Sequence, residues 1–494
     1  MKSFFILITF HLTIILLIQK KICFGQINPE DLKYNPEITA SSLKKYLDES
    51  TNPCDDFYQF SCGKWIEKKK TDNIFDVELN QFAGYIKFIR YKKEFVVGNF
   101  NDRSPTIKKI HKLLAKCFDS TGQNYDKTCA SKILSFSNNL LLPLFLDLDV
   151  NKELMEHNYG ALEKMFGQLK NELKDIIEKK KDFIDDESKE KIYKKLNSLT
   201  FSREYSNYAF DFELMEKCYE FFPVNENDSL EQMYDNIDKF ENMNINDIFI
   251  PDDVPIKNKC KFIMSANNSY MIQMHIRPNA YYSNEGNIML LTPYIIQEPR
   301  FNLKFPKSLN YGALGFAMSH EILHGFDSIG IMYDSNGEEG SKLLTESSEN
   351  KFNEAAKCFE KQYNETQEER TKLFLNGYKS LAENLADNSG IKLAHRTYMK
   401  YLETTGEEEP RVPGFEKYTN EQLFFINFAR SFCEYKEKDS YIINQLQTEH
   451  VPNKFRINLS LANYKPFSTA FSCGAGTKMN PSDKCELWRM FKHI

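Results

Sequence analysis

The feature that most constrains this chain is a pair of histidines four residues apart, in the segment His320-Glu321-Ile322-Leu323-His324. On an α-helix, residues four apart lie on the same face, so both imidazoles can bind one metal ion while Glu321 faces a water molecule beside it. The 494 residues include nine histidines, and chance alone then yields this pattern in roughly one chain in a hundred. The motif suggests a zinc site, which its surroundings must distinguish from a coincidental charged turn.

The residues before the motif predict a buried helix. Leu314, Met318 and Ile322 recur at helical spacing and form an apolar face, on which polar side chains would be costly without partners. We expect Ser308 or Asn310 to cap the N-terminus of this helix. A solvated surface helix would not carry this pattern, so the two histidines and the glutamate are expected to have a buried chemical role.

A second helical segment, residues 380–390, carries Glu383 and Asp387 four positions apart and therefore on one face. A catalytic zinc site needs a third protein ligand, and histidine ligands usually donate their other N–H to a carboxylate. Glu383 fits the first role and Asp387 the second. The alternative is a pair of solvated acids, but Leu381 and Leu385 make the segment too apolar for an exposed helix.

The composition is that of a folded globular chain without a nucleic-acid partner. Hydrophobic residues make up 41%, charged residues 27%, and the net charge is −6. These proportions allow a sizeable core, and the chain lacks the basic excess that nucleic-acid binding requires. Two domains are the natural expectation for this length.

The N-terminus predicts export. Residues 4–18 form an apolar run after Lys2, and Cys23-Phe24-Gly25 offers a small-residue cleavage site. The run is short for a membrane helix, which needs about 20 apolar residues. We therefore expect a signal peptide over residues 1–25 and a secreted protein. The alternative is a type II membrane anchor through residues 4–18, with the rest of the chain extracellular.

Cysteines and glycosylation sequons agree with export. Beyond the expected signal peptide lie ten cysteines, and an even number in an exported chain indicates disulfide bonds, although spacing alone does not give their pairing. The ten are Cys54, Cys62, Cys117, Cys129, Cys218, Cys260, Cys358, Cys433, Cys473 and Cys485. Sequons for N-glycosylation occur at Asn227, Asn267, Asn364 and Asn458.

Several further motifs appear in a fixed order along the C-terminal part of the chain. They are Asn279-Ala280-Tyr281-Tyr282, 308–312, 320–327, 382–388, 422–429, His450, Phe455-Arg456, and Cys485 with Trp488. Together they resemble the catalytic half of the neprilysin and endothelin-converting-enzyme family of zinc metallopeptidases, and residues 53–65 resemble the start of that family's ectodomain. The resemblance implies a mainly α fold with a small β-sheet, in which a gluzincin (thermolysin-like) catalytic lobe is accompanied by a reduced helical lobe.

The resemblance implies one zinc ion per subunit, bound by His320, His324 and Glu383, with Glu321 as general base. It further implies that Asp387 orients His320. By itself His450 would more often be a surface histidine, but the resemblance gives it the role of stabilising the oxyanion.

The resemblance also implies how a substrate is held. Arg456 would bind a backbone carbonyl of the substrate, and Asn279 with Ala280 would hold its main chain. The pocket for the side chain after the cut would include Ile295, Phe316, Ala317 and Phe432. Arg300 lies where relatives tend to carry an aromatic residue, so the side-chain preference can differ.

The resemblance suggests which cysteines pair: Cys54 with Cys473, Cys62 with Cys433, Cys117 with Cys129, and Cys358 with Cys485, which leaves Cys218 for Cys260. The expected domains are the signal peptide, an N-terminal segment over 26–75 tied by disulfides to the catalytic lobe, a reduced helical cap over 76–210, and the catalytic lobe over 211–494. Between Cys117 and Asn279 the resemblance thins, and apolar residues at helical spacing over 162–177 predict a long packed helix there.

The resemblance implies a secreted endopeptidase that hydrolyses peptide bonds on the amino side of hydrophobic residues, with a zinc-activated water and Glu321 as general base. Its partners would be peptide or protein substrates. The alternative is a secreted binding or decoy protein that keeps the zinc site without turnover. Glu321→Gln separates the two, because only an enzyme has activity to lose.

Overall fold

The structure is a computed structural model that describes residues 32–71, 79–100, 103–118, 126–149, 152–179, 183–202, 211–220, 225, 227–241, 255–256, 260 and 276–487. The expected signal peptide over 1–25, the apolar run over 4–18, Asn267 and Trp488 lie outside these ranges.

Helices form most of the described chain. Those before the sheet are α1 Pro36–Leu43, α2 Phe57–Thr71, α3 Leu79–Val96, α4 Pro105–Ala115, α5 Lys127–Phe136, α6 Asn138–Asp149, α7 Lys152–Glu178, α8 Asp186–Ser198, α9 Phe212–Glu220 and α10 Leu230–Glu241. Those after it are α11 Lys307–Asn310, α12 Phe316–His324, α13 Glu346–Asn364, α14 Leu381–Thr405, α15 Asn420–Arg430, α16 Asp439–Leu446, α17 Asn453–Asn463 and α18 Lys465–Ala470. Single 3₁₀ turns occur at Pro293–Ile295 and Gly330–Met332.

Helix boundaries follow side-chain capping. The Ser104 side chain accepts a hydrogen bond from the Ile107 N–H, and Pro105 at the first helical position of α4 has no N–H that would need a partner. At α15, Thr419 and Gln422 cap each other's backbone N–H groups in a capping box. The predicted long helix over 162–177 is confirmed as part of α7, which starts ten residues earlier.

The strands in the described residues form a small mixed sheet with the order β1–β3–β2. Strand β1 is Thr200–Ser202, β2 is Ala280–Ser283 and β3 is Ile288–Leu291. Strand β3 runs parallel to β1 and antiparallel to β2, which leaves β2 at an edge. The expected fold class, mainly α with a small sheet, is confirmed.

Two large hydrophobic clusters organise the packing. The larger one combines Leu162 of α7 and Ile192 of α8 with Met318 of α12. The second contains residues of α3 to α6 and of α9, among them Phe88 and Cys218. The domain bounds stay a prediction, but the hydrophobic packing does not follow the division at residue 210, because α7 and α8 bury their apolar faces against the catalytic helices.

All five expected disulfides are present: Cys54–Cys473, Cys62–Cys433, Cys117–Cys129, Cys218–Cys260 and Cys358–Cys485. The first two join residues 419 and 371 positions apart in sequence. Cys54–Cys473 connects the turn before α2 to the segment after α18, and Cys62–Cys433 connects α2 to the segment just after α15. The N-terminal segment is therefore covalently tied to the C-terminal half, as expected.

No single helix in the described ranges is both long and apolar enough to cross a membrane. One pair of helices joined by a bend, Lys127–Phe136 with Asn138–Leu146, is long and apolar enough when the two are taken together.

Candidate metal centre

The helix that carries the histidine pair begins earlier than expected. It starts with α11 at Lys307, continues through a π-helical turn at Tyr311–Gly315, and ends with α12 at His324. Ser308 and Asn310 therefore lie inside it, and the expectation that one of them caps it is wrong. The Ser308 backbone N–H instead donates to both carboxylate oxygens of Glu409, each at 3.1 Å. A carboxylate from another segment thus satisfies this helix N-terminus.

Helix α14 approaches α12 closely enough for its carboxylates to reach the histidines. At Gly390 an added Cβ would lie 3.2 Å from the His320 backbone nitrogen and 3.3 Å from its Cα. A side chain at residue 390 would push the helices apart, so the glycine permits this spacing. Asp387 and Glu383 lie about one and two turns earlier on α14, respectively, and face His320.

Three side chains converge at one point. The Nε2 atoms of His320 and His324 lie 3.0 Å apart. Glu383 places Oε2 at 3.2 Å from His320 Nε2 and Oε1 at 3.5 Å from His324 Nε2. In the described residues these three are the group whose ligand atoms lie close enough together to hold a metal ion, all within 4.8 Å of one another. They are the predicted zinc ligands.

A carboxylate holds the far side of each imidazole. Asp387 Oδ1 lies 2.9 Å from His320 Nδ1, and Asp327 Oδ2 lies 2.7 Å from His324 Nδ1. A neutral ring whose Nδ1–H faces a carboxylate presents its Nε2 lone pair on the other side, here toward the other ring and Glu383. Lone pairs and a carboxylate facing each other repel unless a cation lies between them. Two imidazoles and a carboxylate fit zinc, which takes three protein ligands in catalytic sites.

Asp327 is a functional residue that sequence reasoning missed. Its second oxygen accepts hydrogen bonds from the Ile329 and Gly330 N–H groups, both at 2.8 Å, and its side chain is buried. The signal that could have found it is its position three residues after His324, where the helix ends and a carboxylate can turn back toward the ring.

The electrostatics of the centre favour positive charge. Burial opposes protonation of His320, but hydrogen bonds to Asp387 and Glu383 raise its pKa to about 10. Burial likewise disfavours the ionised form of Glu383, yet hydrogen bonds from His320 and His450 hold its pKa well below the usual range. The carboxylates thus keep the metal centre anionic, and it attracts a cation, either protons or a metal ion.

Arg456 lies beside the metal centre. Its Nε and one terminal nitrogen each donate to Asp387 at 2.7 Å, and its guanidinium lies 5.0 Å from the centre of the Phe432 ring. Burial opposes ionisation of Asp387, but the guanidinium lowers the pKa of this carboxyl. Asp387 is therefore held by a bidentate ion pair on one side and bound to His320 on the other. The predicted substrate contact of Arg456 stays a prediction.

Glu321 and His450 complete the predicted catalytic group. Glu321 is buried at the floor of the cleft, and burial raises its pKa although both ligand histidines oppose the shift. The His450 side chain is 47% exposed, with Nε2 2.9 Å from Glu383 Oε2. The structure thus places His450, 67 residues after Glu383 in sequence, at the metal centre. From the sequence alone, a surface position would have been the expectation.

The centre lies in a cleft of about 460 Å³ that the edge strand β2 borders. The predicted substrate-binding residues all line it: Asn279, Ala280, Ile295, Phe316, Ala317, Phe432 and Arg456. Arg300 lines the cleft too and adds a cation beside this apolar group. The predicted site residues other than the buried Asp387 therefore line one cavity.

The family comparison agrees with this geometry. The sequence profile described as Peptidase family M13 matches residues 279–487. Residues 279–487 are therefore similar to peptidase family M13. Neprilysin-1 of Caenorhabditis elegans is 40% identical over 210 residues, which cover 42% of this chain and 28% of that protein. The endothelin-converting enzyme homolog of Locusta migratoria is 30% identical over 329 residues, covering 66% of this chain and 42% of that one. The chain thus spans well under half the length of the curated M13 relatives it matches.

Solved structures support the fold. A zinc metalloprotease of Mycobacterium tuberculosis in complex with an inhibitor has a TM-score of 0.53 at 20% identity, covering 74% of this chain and 52% of that one. A chain of the Haemonchus galactose-containing glycoprotein complex has a TM-score of 0.61 at 18% identity, covering 92% of this chain and 99% of that one. The second match shows that a solved chain of nearly this size has a similar fold.

The contact between Asp327 and His324 yields a test of the metal centre. We expect Asp327→Ala to weaken zinc binding roughly ten- to a hundredfold, because His324 loses the group that fixes its tautomer and ring orientation. Competition with a chromogenic zinc chelator, at a temperature where circular dichroism shows both proteins folded, measures the affinity.

The matched control is Asp334→Ala. Asp334 also accepts backbone N–H groups, from Asn336 and Glu338, but touches neither histidine. Equal zinc affinity for Asp327→Ala and the wild type, or an equal loss in the control, would contradict the assignment.

Proposed function

We propose that this chain is a secreted zinc endopeptidase. The observation that carries the proposal is the pair of carboxylate-held imidazoles whose Nε2 atoms converge with Glu383 beside the buried Glu321. Three protein ligands leave one coordination position for water or substrate, as catalytic rather than structural zinc sites do. His320, His324 and Glu383 would hold the ion, with Asp387 and Asp327 supporting the two imidazoles.

When bound at this position, zinc would acidify a water molecule and polarise the scissile carbonyl. Glu321 would accept the proton that the water loses as its oxygen attacks the carbonyl carbon, and would pass that proton to the leaving amine. Burial raises the pKa of Glu321, which makes the carboxylate a stronger base than an exposed one. His450, beside Glu383, would donate a hydrogen bond to the developing oxyanion.

The cleft offers a way to hold an extended peptide. Strand β2 is a sheet edge whose outer backbone groups can pair with a substrate strand, and Asn279 and Ala280 lie at its start. Arg456 would donate to a substrate carbonyl while Asp387 keeps the guanidinium oriented. The apolar side chains of Ile295, Phe316 and Phe432 favour a hydrophobic residue after the cut.

Glu321→Gln tests the proposal. The amide cannot accept the proton, so we expect hydrolysis of fluorogenic peptides to fall roughly a hundred- to ten-thousandfold. The metal ligands are untouched, so zinc content should stay at the wild-type level. Steady-state kinetics and metal analysis of the same preparations provide both quantities, with the exposed Glu339→Gln as control. A wild-type protein that is fully loaded with zinc yet cleaves nothing in a broad peptide library would instead favour the decoy alternative.

Secretion predicts N-glycans at particular sequons. Asn227 and Asn364 are exposed, and the Asn364 side chain uses only its oxygen, which accepts the Gly377 N–H at 2.7 Å. Asn458 uses both ends of its amide: the oxygen accepts the Tyr58 N–H and the nitrogen donates to Asp56, each at 2.9 Å. A glycan on that nitrogen would disturb these contacts.

We therefore expect the chain secreted by eukaryotic cells to carry glycans at Asn227 and Asn364 but not at Asn458. Enzymatic deglycosylation converts each occupied asparagine to aspartate, and peptide mass spectrometry reports the conversion. Full occupancy of Asn458 in folded, secreted protein, or unmodified Asn227 and Asn364, would contradict the prediction.

A further inference from the structure

A lysine outside the M13-matched region is buried against the turn that follows the histidine helix. Lys195 lies on α8, and its side chain is completely buried. Burying an ammonium group without partners carries a large desolvation penalty, even after the surrounding protein relaxes. Burial lowers the pKa of Lys195 to about 8, whereas Asp327 and Asp334 act in the opposite direction. A lysine retained in such a place must make contacts that compensate for the lost hydration.

The compensating contacts lie on the segment that follows the histidine helix. Lys195 Nζ donates to the Gly330 carbonyl oxygen at 2.7 Å and to the Tyr333 carbonyl oxygen at 2.9 Å. These two carbonyls bracket the 3₁₀ turn at Gly330–Met332. The ammonium group thus fixes both ends of a turn that begins six residues after His324.

The same turn holds Asp327 in place. The Gly330 N–H donates to Asp327 Oδ1, while the Gly330 carbonyl accepts from Lys195. One residue therefore links the two side chains through its two peptide groups. Asp327 uses its other oxygen to hold His324 Nδ1. The connection runs without a gap from Lys195 through Gly330 and Asp327 to a predicted metal ligand.

The segments that form this connection are tightly packed. A Cβ added at Gly330 would lie 1.9 Å from the His324 carbonyl oxygen, so the turn packs directly against the helix end. Lys195 is anchored on its own side as well, because its carbonyl accepts a hydrogen bond from Asn287 Nδ2 at 2.9 Å. Asn287 in turn accepts the Thr200 N–H through its backbone oxygen, next to the pairing of β1 and β3.

We propose that Lys195 is a positioning residue for the metal centre, acting through the Gly330 turn and Asp327 on the orientation of His324. The inference rests on the metal site of the proposed function. It means that the M13-matched region does not hold its own histidine ligand unaided, and that α8 supplies part of the support.

The test compares Lys195→Met with Lys170→Met. Lys170 on α7 also donates to two backbone carbonyls, those of Asn197 and Leu199, neither of which belongs to the Gly330 turn. Both variants lose a lysine with two carbonyl contacts, so a general loss of stability should appear in both. The measurements are the zinc affinity by chelator competition, below the melting temperature of each protein, and the visible spectrum of the cobalt-substituted protein, which reports ligand geometry.

We expect Lys195→Met to weaken zinc binding on the order of tenfold and to alter the cobalt spectrum, because loss of support for Asp327 loosens His324. Lys170→Met should keep the wild-type affinity and spectrum. Wild-type zinc affinity in Lys195→Met, or an equal loss in both variants, would overturn the proposal. If Lys195→Met does not fold, Lys195→Gln, which keeps one donor group, decides by the same criteria.

The wild-type titration separates this proposal from the proposed function. A wild type that binds no zinc would defeat the metal site itself. A wild type that binds zinc, together with an unaffected Lys195→Met, would defeat only the role of Lys195.

Discussion

The structure depends on two short contacts, each between an imidazole Nδ1 and a buried carboxylate oxygen. Asp387 holds His320 and Asp327 holds His324, and these contacts turn both Nε2 lone pairs toward Glu383. Without them each ring could rotate or change tautomer, and three ligand atoms would not converge. Three features of the fold maintain these two contacts. Helix α14 packs closely against α12, the Arg456 guanidinium keeps Asp387 ionised, and the Gly330 turn holds Asp327.

Further support comes from outside the region that matches peptidase family M13. Buried Glu172 on α7 pairs with Arg396 on α14 at 2.7 Å, so the helix that carries Glu383 is fastened to an earlier helix. Strand β1 extends the sheet that provides the cleft edge, and Lys195 on α8 holds the turn after His324. Two disulfides close the N-terminal segment onto the same part of the molecule. Segments before residue 279 therefore contribute to the surroundings of the centre.

The sequence was most informative where spacing and geometry coincide. The helical period places His320 and His324 on one face, and the same period places Glu383 and Asp387 on one face of the second helix. Long-range contacts escaped this reasoning, because no local pattern shows that Lys195 reaches Gly330. The helix start was misjudged for the same reason, since Glu409, more than one hundred residues after Ser308, provides the cap. The disulfide pairing and the role of His450 came only from the family resemblance.

The most direct test of the central claim is a metal analysis of the purified protein after dialysis, with Glu383→Gln prepared in parallel. We predict about one zinc ion per wild-type chain, in keeping with a single three-ligand site, and a much lower zinc content in the variant, whose amide is a poorer ligand than the carboxylate. A wild-type protein that retains no zinc when the metal is supplied, or a variant that retains as much as the wild type, would contradict the account.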